Sequence, residues 1–227
     1  MSADRPAAGS VPPGLGASLR ARREAAGLSA RALAQAAGVS PSLISQIERE
    51  KASPSVASLY AIAQALGVSL DGLLAGELAP PPAPRPAPRV GVPRAQRDRP
   101  DRDGARPGSS GPVLRAADRP AISLATGVSW ERLTAGEDPE VEFLEMTYDV
   151  GGTSCREDTL MRHRGREYLV VIEGRLAIAV GDDVHELAPG DSLVFDAAQP
   201  HRLWAVGAQP VRVVTAVVGR SPGGAGA

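Results

Sequence analysis

The middle of the chain, residues 77–121, constrains the fold most because it has almost no large apolar side chains and no hydrophobic periodicity. It is rich in Pro and Arg, so it cannot bury enough apolar surface to offset the entropy lost on ordering its backbone. The segments on either side must therefore each fold around a core of their own. The sequence predicts two domains, residues 15–76 and 122–219, joined by a flexible linker over 77–121 and flanked by disordered ends at 1–14 and 220–227.

The parts of the chain differ in charge, although the net charge of all 227 residues is only −1. Residues 15–76 carry six basic and four acidic side chains, and residues 77–121 carry nine and five. Residues 122–227 carry nine basic and sixteen acidic side chains. This asymmetry indicates two modules with different partners, and it makes an anion a suitable partner for the first.

Several classes of protein are excluded by simple counts. Cys155 is the only cysteine, so an internal disulfide framework is impossible. No segment approaches the ~18 consecutive apolar residues of a membrane span. The N-terminus lacks the basic start and apolar run of a secretion signal. We therefore expect a cytoplasmic protein with no membrane association.

Residues 15–76 are predicted to form short helices that share one core. Gly27 and Gly38 follow apolar-periodic runs, as expected for residues that end a helix. Ser29 begins one run, and Ser40 followed by Pro41 begins the next, which is the order of an N-cap and a first-turn proline. Two further helices are predicted in the segments SPSVASLYAIAQALG and SLDGLL. Helices this short are marginal alone in water, so they must pack on one another.

The helix that begins near Ser40, in the segment VSPSLISQIERE, has two chemically different sides. Leu43, Ile44 and Ile47 lie on one side of it. Four polar side chains, here called the polar ridge, lie opposite at positions i, i+3, i+4 and i+7: Ser42, Ser45, Gln46 and Arg49. A solvated surface would explain such a stripe alone, but not the whole pattern around it.

The pattern SARALAQAAGVSPSLISQIERE resembles the helix-turn-helix of Xre-type, phage-repressor-like regulators, and the following segment resembles their fourth and fifth helices. The resemblance is carried by Leu33, Ala34, Gly38, Val39, Ser40, Ile44, Ser45, Ile47 and Glu48. It implies a five-helix DNA-binding domain that reads double-stranded DNA. Because the net charge of this domain is small, one copy should bind weakly, so we expect a homodimer on a pseudo-palindromic operator. We also expect a nucleoid-associated location.

The resemblance assigns roles to individual side chains of this domain. A reading helix needs an apolar back and a polar front that reaches base edges. Gln46 suits a bidentate contact with adenine, and Arg31 and Arg49 suit phosphate contacts. Arg23 and Glu48 match a pair that bridges helices in the family, which is a structural role. The candidate DNA-binding residues are Arg31, Ser40, Ser42, Ser45, Gln46 and Arg49.

Residues 122–219 contain short apolar runs separated by turn sequences such as APGD, AAQP and GAQP. Several short strands with this punctuation favour an antiparallel barrel or sandwich. The fold class is therefore multidomain α + β, with an all-α domain, a Pro/Arg-rich linker and an antiparallel β-barrel.

The segment from residue 161 to residue 205 resembles the cupin family, whose fold is a jelly-roll barrel. The positions of its two motifs are Met161, His163, Glu167 and Gly174, then Gly190, Asp191, Pro200 and His201. Joined to the first domain, this segment is similar to regulators that combine a repressor-type domain with a cupin sensor. Met161 stands where an imidazole is usual in the family.

The cupin resemblance predicts a pocket with a metal-binding character. Glu167 shares strand parity with Met161 and His163, so these side chains face one way, and His201 begins a later strand. Two imidazoles and a carboxylate suit Zn, Fe, Ni or Mn, but a thioether is a poor ligand for these ions. A metal-free pocket for an organic effector and a purely structural barrel therefore remain open. The candidate effector-pocket residues are Met161, His163, Glu167, Tyr168 and His201, and the candidate metal ligands are His163, Glu167 and His201.

The sequence therefore predicts a transcriptional regulator, of the repressor type, that is not an enzyme. Its barrel senses a small molecule or metal, mediates dimerisation, or does both. One alternative is a cupin metalloenzyme, a dioxygenase or isomerase, tethered to a DNA-binding domain. The other is a constitutive DNA-bound dimer with a structural barrel.

Overall fold

The structure is a computed structural model that describes residues 14–70, 73, 113–136, 138 and 140–219. Most of the predicted linker, nearly all of the predicted disordered N-terminus, and the predicted tail at 220–227 lie outside this part of the chain.

The N-terminal domain is all-helical, as predicted. Three of its helices begin at a serine whose hydroxyl accepts a hydrogen bond from a backbone N–H three residues later: Ser29, Ser40 and Ser55. These caps satisfy N–H groups that have no partner within the helix. Within the described residues the complete helices are α1 (Leu15–Ala25), α2 (Ala30–Ala36), α3 (Pro41–Glu48) and α4 (Val56–Leu66).

The predicted fifth helix lies partly outside the described residues. Leu70 and Leu73 have helical backbone, and the Leu73 N–H donates to the Ser69 carbonyl at 3.2 Å. Residues 71, 72 and 74–76 are not described, so four helices rather than five have defined bounds. None of the described helices is both long and apolar enough to cross a membrane.

Helices α1 and α3 approach each other closely at Gly16. A Cβ atom at this position would lie 2.6 Å from the Ile47 carbonyl oxygen and 2.8 Å from that of Glu48. Only glycine allows this contact, because atoms of neighbouring residues essentially never come so near. The contact fixes α3 against the core of the domain.

The C-terminal domain is an antiparallel β structure of two sheets, as the fold-class prediction states. In the described residues the first sheet has the order β1-β2-β3-β9-β4-β7 and the second the order β6-β5-β8. The strands are β1 (Ala121–Leu124), β2 (Val128–Arg132), β3 (Val141–Tyr148), β4 (Arg166–Glu173), β5 (Arg175–Val180), β6 (Asp183–Leu187), β7 (Ser192–Asp196), β8 (His201–Val206) and β9 (Val211–Val218). The turn pattern identified β3 to β9, but β1 and β2 were not recognised as strands.

The residues just before β1 are attached to the barrel, although the linker prediction extends to residue 121. A short 3-10 helix, Ala116–Asp118, precedes Arg119. The Arg119 guanidinium contacts Glu131 at 3.2 Å and Glu145 at 3.0 Å, on β2 and β3. Ion pairs, and not buried apolar side chains, attach this segment to the barrel. Its composition is therefore polar like that of the linker, and the two could not be told apart by composition.

Candidate functional site

The polar ridge of α3 lies on the surface, and the opposite side of the helix is buried. Ile44 and Ile47 are completely inaccessible to solvent. Ser42, Gln46 and Arg49 are exposed. The remaining member, Ser45, is half-buried between them. This is the arrangement that a helix needs if its front is to enter a groove while its back is anchored in a core.

Local hydrogen bonds order both ends of the ridge. The Ser40 hydroxyl accepts from the Leu43 N–H at 3.2 Å and lies 3.0 Å from the Ser42 hydroxyl. The Arg49 Nε donates to the Ser45 carbonyl at 3.0 Å, which keeps the guanidinium beside the helix. Arg31 is exposed on the neighbouring helix α2. Ser40 thus has a capping role in addition to its predicted contact with DNA.

A charged pair holds α3 against α1, which is the structural role predicted for it. The Arg23 Nε lies 2.5 Å from one Glu48 carboxylate oxygen, and a terminal guanidinium nitrogen lies 3.0 Å from the other. Arg23 also donates to the Leu28 carbonyl at 2.9 Å. Hydrogen bonding to Glu48 raises the pKa of Arg23 and outweighs the cost of its burial. This bidentate ion pair fixes the orientation of the polar ridge.

The barrel brings the three predicted metal ligands together in its interior. His163 precedes β4, Glu167 lies on β4, and His201 begins β8 in the other sheet. They are 4%, 3% and 0% exposed, so all three are shielded from solvent. One candidate ligand atom from each lies within 4.8 Å of the others.

Both histidines are oriented by backbone carbonyls. Nδ1 of His163 lies 3.2 Å from the Arg164 carbonyl oxygen, and Nδ1 of His201 lies 2.9 Å from that of Gln199. A carbonyl oxygen only accepts, so Nδ1 carries the proton in each ring. The lone pair of each Nε2 is consequently directed into the site, as in metal-binding histidines held by an outer partner.

The two Nε2 atoms are buried and have no hydrogen-bond partner within the described residues. His163 Nε2 lies 3.4 Å from a Glu167 oxygen, but the geometry is that of a close contact and not of a hydrogen bond. Buried polar atoms without partners are costly, and a metal ion would satisfy both at once. The donor set of two imidazoles and one carboxylate therefore fits a divalent transition metal.

The charge state of the cluster follows from its surroundings. Burial acts to raise the pKa of Glu167, but the neighbouring histidines and a hydrogen bond from Thr215 at 3.0 Å outweigh it. The pKa of Glu167 is therefore below its usual value. Burial lowers the pKa of His201, against the opposing influence of the Gln199 carbonyl and Glu167. Both shifts favour a neutral imidazole and an ionised carboxylate, which are the forms that bind metals.

The pocket beside this cluster is small and has walls from both domains. Its cavity volume is about 10 Å³, close to the minimum that holds one water molecule. The lining residues are Val56, Tyr60, Met146, Tyr148, Ser154, Met161, Glu167, His201 and Leu203.

Val56 and Tyr60 belong to α4, and sequence reasoning missed both as pocket residues. Their spacing of four places them on one face of the helix. Leu59, Ile62 and Ala63 are buried as well, so α4 has apolar side chains on more than one face. That second face is the sequence signal that α4 packs against something outside its own domain.

Met161 lies at the pocket as predicted, but Tyr168 does not. Met161 is 6% exposed and its backbone pairs with that of His201 in an isolated antiparallel bridge. Tyr168 follows Glu167 directly on β4, so its side chain points to the opposite face of the sheet and is 43% exposed. The prediction of Tyr168 as a pocket residue is therefore wrong.

Two side chains outside the cluster, His185 and Cys155, have ordinary environments. His185 is exposed on β6, in the smaller sheet. Cys155 is buried, and burial raises the pKa of its thiol. A raised pKa keeps the thiol protonated near neutral pH, as is typical of a buried structural cysteine.

Comparisons with known proteins identify each domain separately. Residues 19–73 match the family model described as helix-turn-helix, and residues 144–217 match the model described as cupin domain. No curated protein matches the chain.

The structure is similar to a crystal structure of an HTH_3 family transcriptional regulator from Vibrio cholerae, with a TM-score of 0.60 and 23% identity. That match covers 90% of this chain and 94% of the other, so the two share a two-domain fold. Hydroxypropylphosphonic acid epoxidase from S. wedmorenis also matches, at 20% identity over 92% and 98% of the two chains, with a TM-score of 0.40. An RmlC-like cupin from Shewanella frigidimarina matches 48% of this chain and 92% of its own, at 16% identity and a TM-score of 0.42.

Proposed function

We propose that this protein, a DNA-binding regulator that joins a helix-turn-helix domain to a cupin domain, reads its operator with the polar ridge of α3 and binds a divalent metal in its barrel. The single observation that supports operator reading is the exposure of the ridge over a buried apolar back. Gln46 and Ser42 contact base edges, and Arg31 and Arg49 contact phosphates. In this proposal the protein acts at the chromosome, and its barrel works by binding and not by catalysis.

We propose further that the protein acts as a homodimer. One helix-turn-helix domain contacts few phosphates, so operators are commonly read by two domains on half-sites about 34 Å apart. The outer face of the larger sheet supports a self-association surface, because an apolar row crosses four adjacent strands there. Its members are Phe143, Ala216, Tyr168 and Val194, aligned by the pairing of β3, β9, β4 and β7.

The row is exposed: Phe143, Tyr168 and Val194 are 38%, 43% and 46% accessible. Exposed apolar patches of this kind mark interaction surfaces. A second copy of the chain is the occupant that the operator geometry requires. This apolar row on the barrel is therefore the proposed dimer surface.

In the barrel, His163, Glu167 and His201 would hold the metal. The ion would supply a positive charge and open coordination positions to which a small anionic or oxygen-donor effector can bind. With a cavity volume of about 10 Å³, the site has room for a ligand of about the size of one water molecule. The Thr215 hydroxyl keeps Glu167 oriented toward the site, and the Arg164 and Gln199 carbonyls keep the imidazoles oriented.

Genome-wide mapping of bound sites tests the regulatory function. The proposal expects a limited set of promoter sites that share a pseudo-palindrome, and gel shifts should show cooperative binding of two chains to each. Tight binding of a single chain to one half-site would contradict the dimeric mode. Occupancy without any common sequence would contradict specific operator reading.

A second candidate function is that of a metal-dependent oxygenase, and it is favoured by the cluster of His163, Glu167 and His201. Two histidines and a carboxylate also form the facial triad of non-haem iron oxygenases. The decisive measurement is oxygen consumption by iron-loaded protein in the presence of a panel of small organic substrates. Substrate-dependent consumption that disappears in Glu167→Ala would establish the enzyme. Binding of metal and operator without consumption supports the regulator.

A further inference from the structure

The helix-turn-helix domain is docked on the barrel through the start of α4. The Ser53 hydroxyl donates to the Ser123 carbonyl at 2.7 Å, and the Ala125 N–H donates to the Pro54 carbonyl at 3.0 Å. The Ala57 N–H donates to the Ser154 carbonyl at 3.2 Å. Three hydrogen bonds across two domains, all close to the first turn of one helix, hold that turn over the barrel.

A buried carboxylate attaches the segment after α4 to the same barrel. Glu142 is 1% exposed and lies on the inward face of β3 with Leu144 and Met146. One of its oxygens accepts from the Leu70 N–H at 3.0 Å, and the other lies 3.5 Å from the Tyr60 hydroxyl. A buried carboxylate must have hydrogen-bond partners, and here the helical domain supplies them.

Between these two attachments, Tyr60 covers one of the proposed metal ligands. Its ring stacks on the imidazole of His163, with ring centroids 4.3 Å apart and the planes 7° from parallel. Trp130 contacts Tyr60 edge-on at 5.6 Å and 67°. Tyr60 is 4% exposed, so this contact is fully shielded. The Tyr60 ring and the Arg164 carbonyl therefore fix His163 from two directions.

We infer that α4 of the DNA-binding domain is a wall of the metal pocket and that Tyr60 is a positioning residue for His163. Metal binding and docking of the DNA-reading domain on the barrel thus stabilise each other. This inference rests on the proposed metal site, and it names how that site communicates with DNA. Tyr60 does not ligate the metal in this account, because its hydroxyl is directed toward Glu142.

The coupling is reciprocal for thermodynamic reasons. If docking orients His163 and so tightens metal binding, metal binding must favour docking by the same factor. Docking sets the position of α3 relative to the barrel, because α2, α3 and α4 share one core. In the proposed homodimer, metal or effector occupancy would therefore change the relative placement of two polar ridges, which determines fit to an operator of fixed spacing.

Cobalt(II) titration of the full-length, metal-depleted protein tests the positioning role. Tyr60→Leu keeps a smaller apolar side chain but removes the stacked ring. It should weaken cobalt affinity about tenfold, the lower end of the effect of losing a partner that orients a ligand. Tyr60→Phe restores the ring and should restore both the affinity and the visible absorption spectrum. Val184→Ala, a loss of an exposed apolar side chain on β6 far from the cluster, should leave cobalt affinity unchanged.

Hydrogen exchange of the wild-type protein gives a second measurement that needs no variant. Cobalt should slow exchange of the α4 amides, residues 56–66, and leave the amides of the exposed strand β6 unchanged. In Tyr60→Leu this cobalt-dependent protection should be much reduced, even if the protein exchanges faster in both states.

The outcomes separate the inference from the metal site on which it rests. If the wild-type protein binds cobalt and Tyr60→Leu binds it equally well, the inference is overturned and the metal site stands. Absence of any α4 protection in cobalt-loaded wild-type protein also overturns it. If the wild-type protein binds no cobalt, zinc or iron(II), the metal site itself fails and the coupling fails with it.

Discussion

Single residues of the barrel cluster make the stability of the metal-free protein depend on pH. The folded-state pKa values of His201 and Glu167 are both lowered. Between each lowered pKa and the ordinary value, the unfolded chain binds more protons than the folded one. Stability therefore falls on acidification, first through His201 below pH 6.5 and then through Glu167 below pH 4.5.

Replacing His201 tests this dependence. In His201→Asn the loss of unfolding free energy between pH 6.5 and pH 5 should become smaller, by at most ~1.4 kcal/mol per pH unit, the limit for one proton. Urea unfolding of chelator-treated protein at several pH values measures the slope. His185→Asn, at the exposed histidine of β6, is the matched control and should keep the wild-type slope. An unchanged slope in His201→Asn would show that this imidazole is not held neutral.

A second prediction concerns the ion pair between Arg23 and Glu48, which orients the polar ridge. Arg23→Met leaves the Glu48 carboxylate buried without its guanidinium partner and should reduce the free energy of unfolding by about 2–3 kcal/mol. Arg20→Met is the control, because Arg20 pairs with Glu24 on the exposed side of the same helix. Exposed pairs contribute little, so that variant should unfold nearly as the wild type does. Equal destabilisation by both changes would be evidence against the structural role of Arg23.

Sequence reasoning identified residues well where one local rule governs them. The serine caps, the ridge and the motif positions of the three proposed ligands depend on neighbours within a few residues. Tyr168 was placed on the wrong face, although strand alternation separates it from Glu167 directly. Tyr60 and Glu142 meet across 82 positions of sequence. Neither local pattern nor motif spacing specifies such a contact.

At the scale of elements, the position of α3 depends on how closely α1 can approach it. Gly16→Ala places a methyl group within 2.6 Å of the Ile47 carbonyl oxygen, so one helix must move. We expect a loss of about 1–3 kcal/mol in unfolding free energy, with weaker operator binding because the ridge shifts.

Urea unfolding and gel shifts of the same preparations measure both effects. Ala17→Ser, at the exposed neighbouring position, is the control and should change the unfolding free energy by less than about 0.5 kcal/mol. If Gly16→Ala had wild-type stability and operator affinity, the close approach of the two helices would be refuted.

Helices and strands were predicted accurately where capping and turn residues clearly mark their ends. Glycine and serine signals placed the first four helices, and turn sequences separated β3 to β9. The strands β1 and β2, which pair with each other, were missed because the turn between them, ATG, is weakly marked. Arg119 extends the barrel domain toward the linker by ion pairing, a contact that composition does not reveal.

At the scale of the whole molecule, the proposed dimer surface gives a direct prediction. Val194→Asp places a charge at the β7 end of the apolar row, and desolvating that charge in an interface would be costly. Analytical ultracentrifugation should show a dimer for the wild type and a shift toward monomer for this variant. Val184→Asp makes the same change at a valine that is 65% exposed on the smaller sheet, and it should remain dimeric. A monomeric wild-type protein, or dimeric Val194→Asp, would exclude this surface.

The division into two modules followed from the low apolar content of one segment, but the docking between the modules did not. If only a flexible linker joined the domains, they would move independently, and metal binding in the barrel could not affect the DNA-reading domain. The hydrogen bonds between the domains and the contact of Tyr60 with His163 connect them instead. The acidic composition of the barrel segment does not indicate this docking. Glu142 acts as a single buried hydrogen-bond acceptor and not as part of a charged surface.

Operator affinity at fixed salt concentration measures whether the polar ridge of α3 reads DNA. A Ser42→Ala, Gln46→Ala double variant should lose at least about tenfold in affinity, since a single good base contact contributes ~1–3 kcal/mol. Gln64→Ala, at an exposed glutamine of α4, should bind as the wild type does, and circular dichroism should show all three proteins folded. Unchanged operator affinity in the double variant would show that the polar ridge does not read DNA.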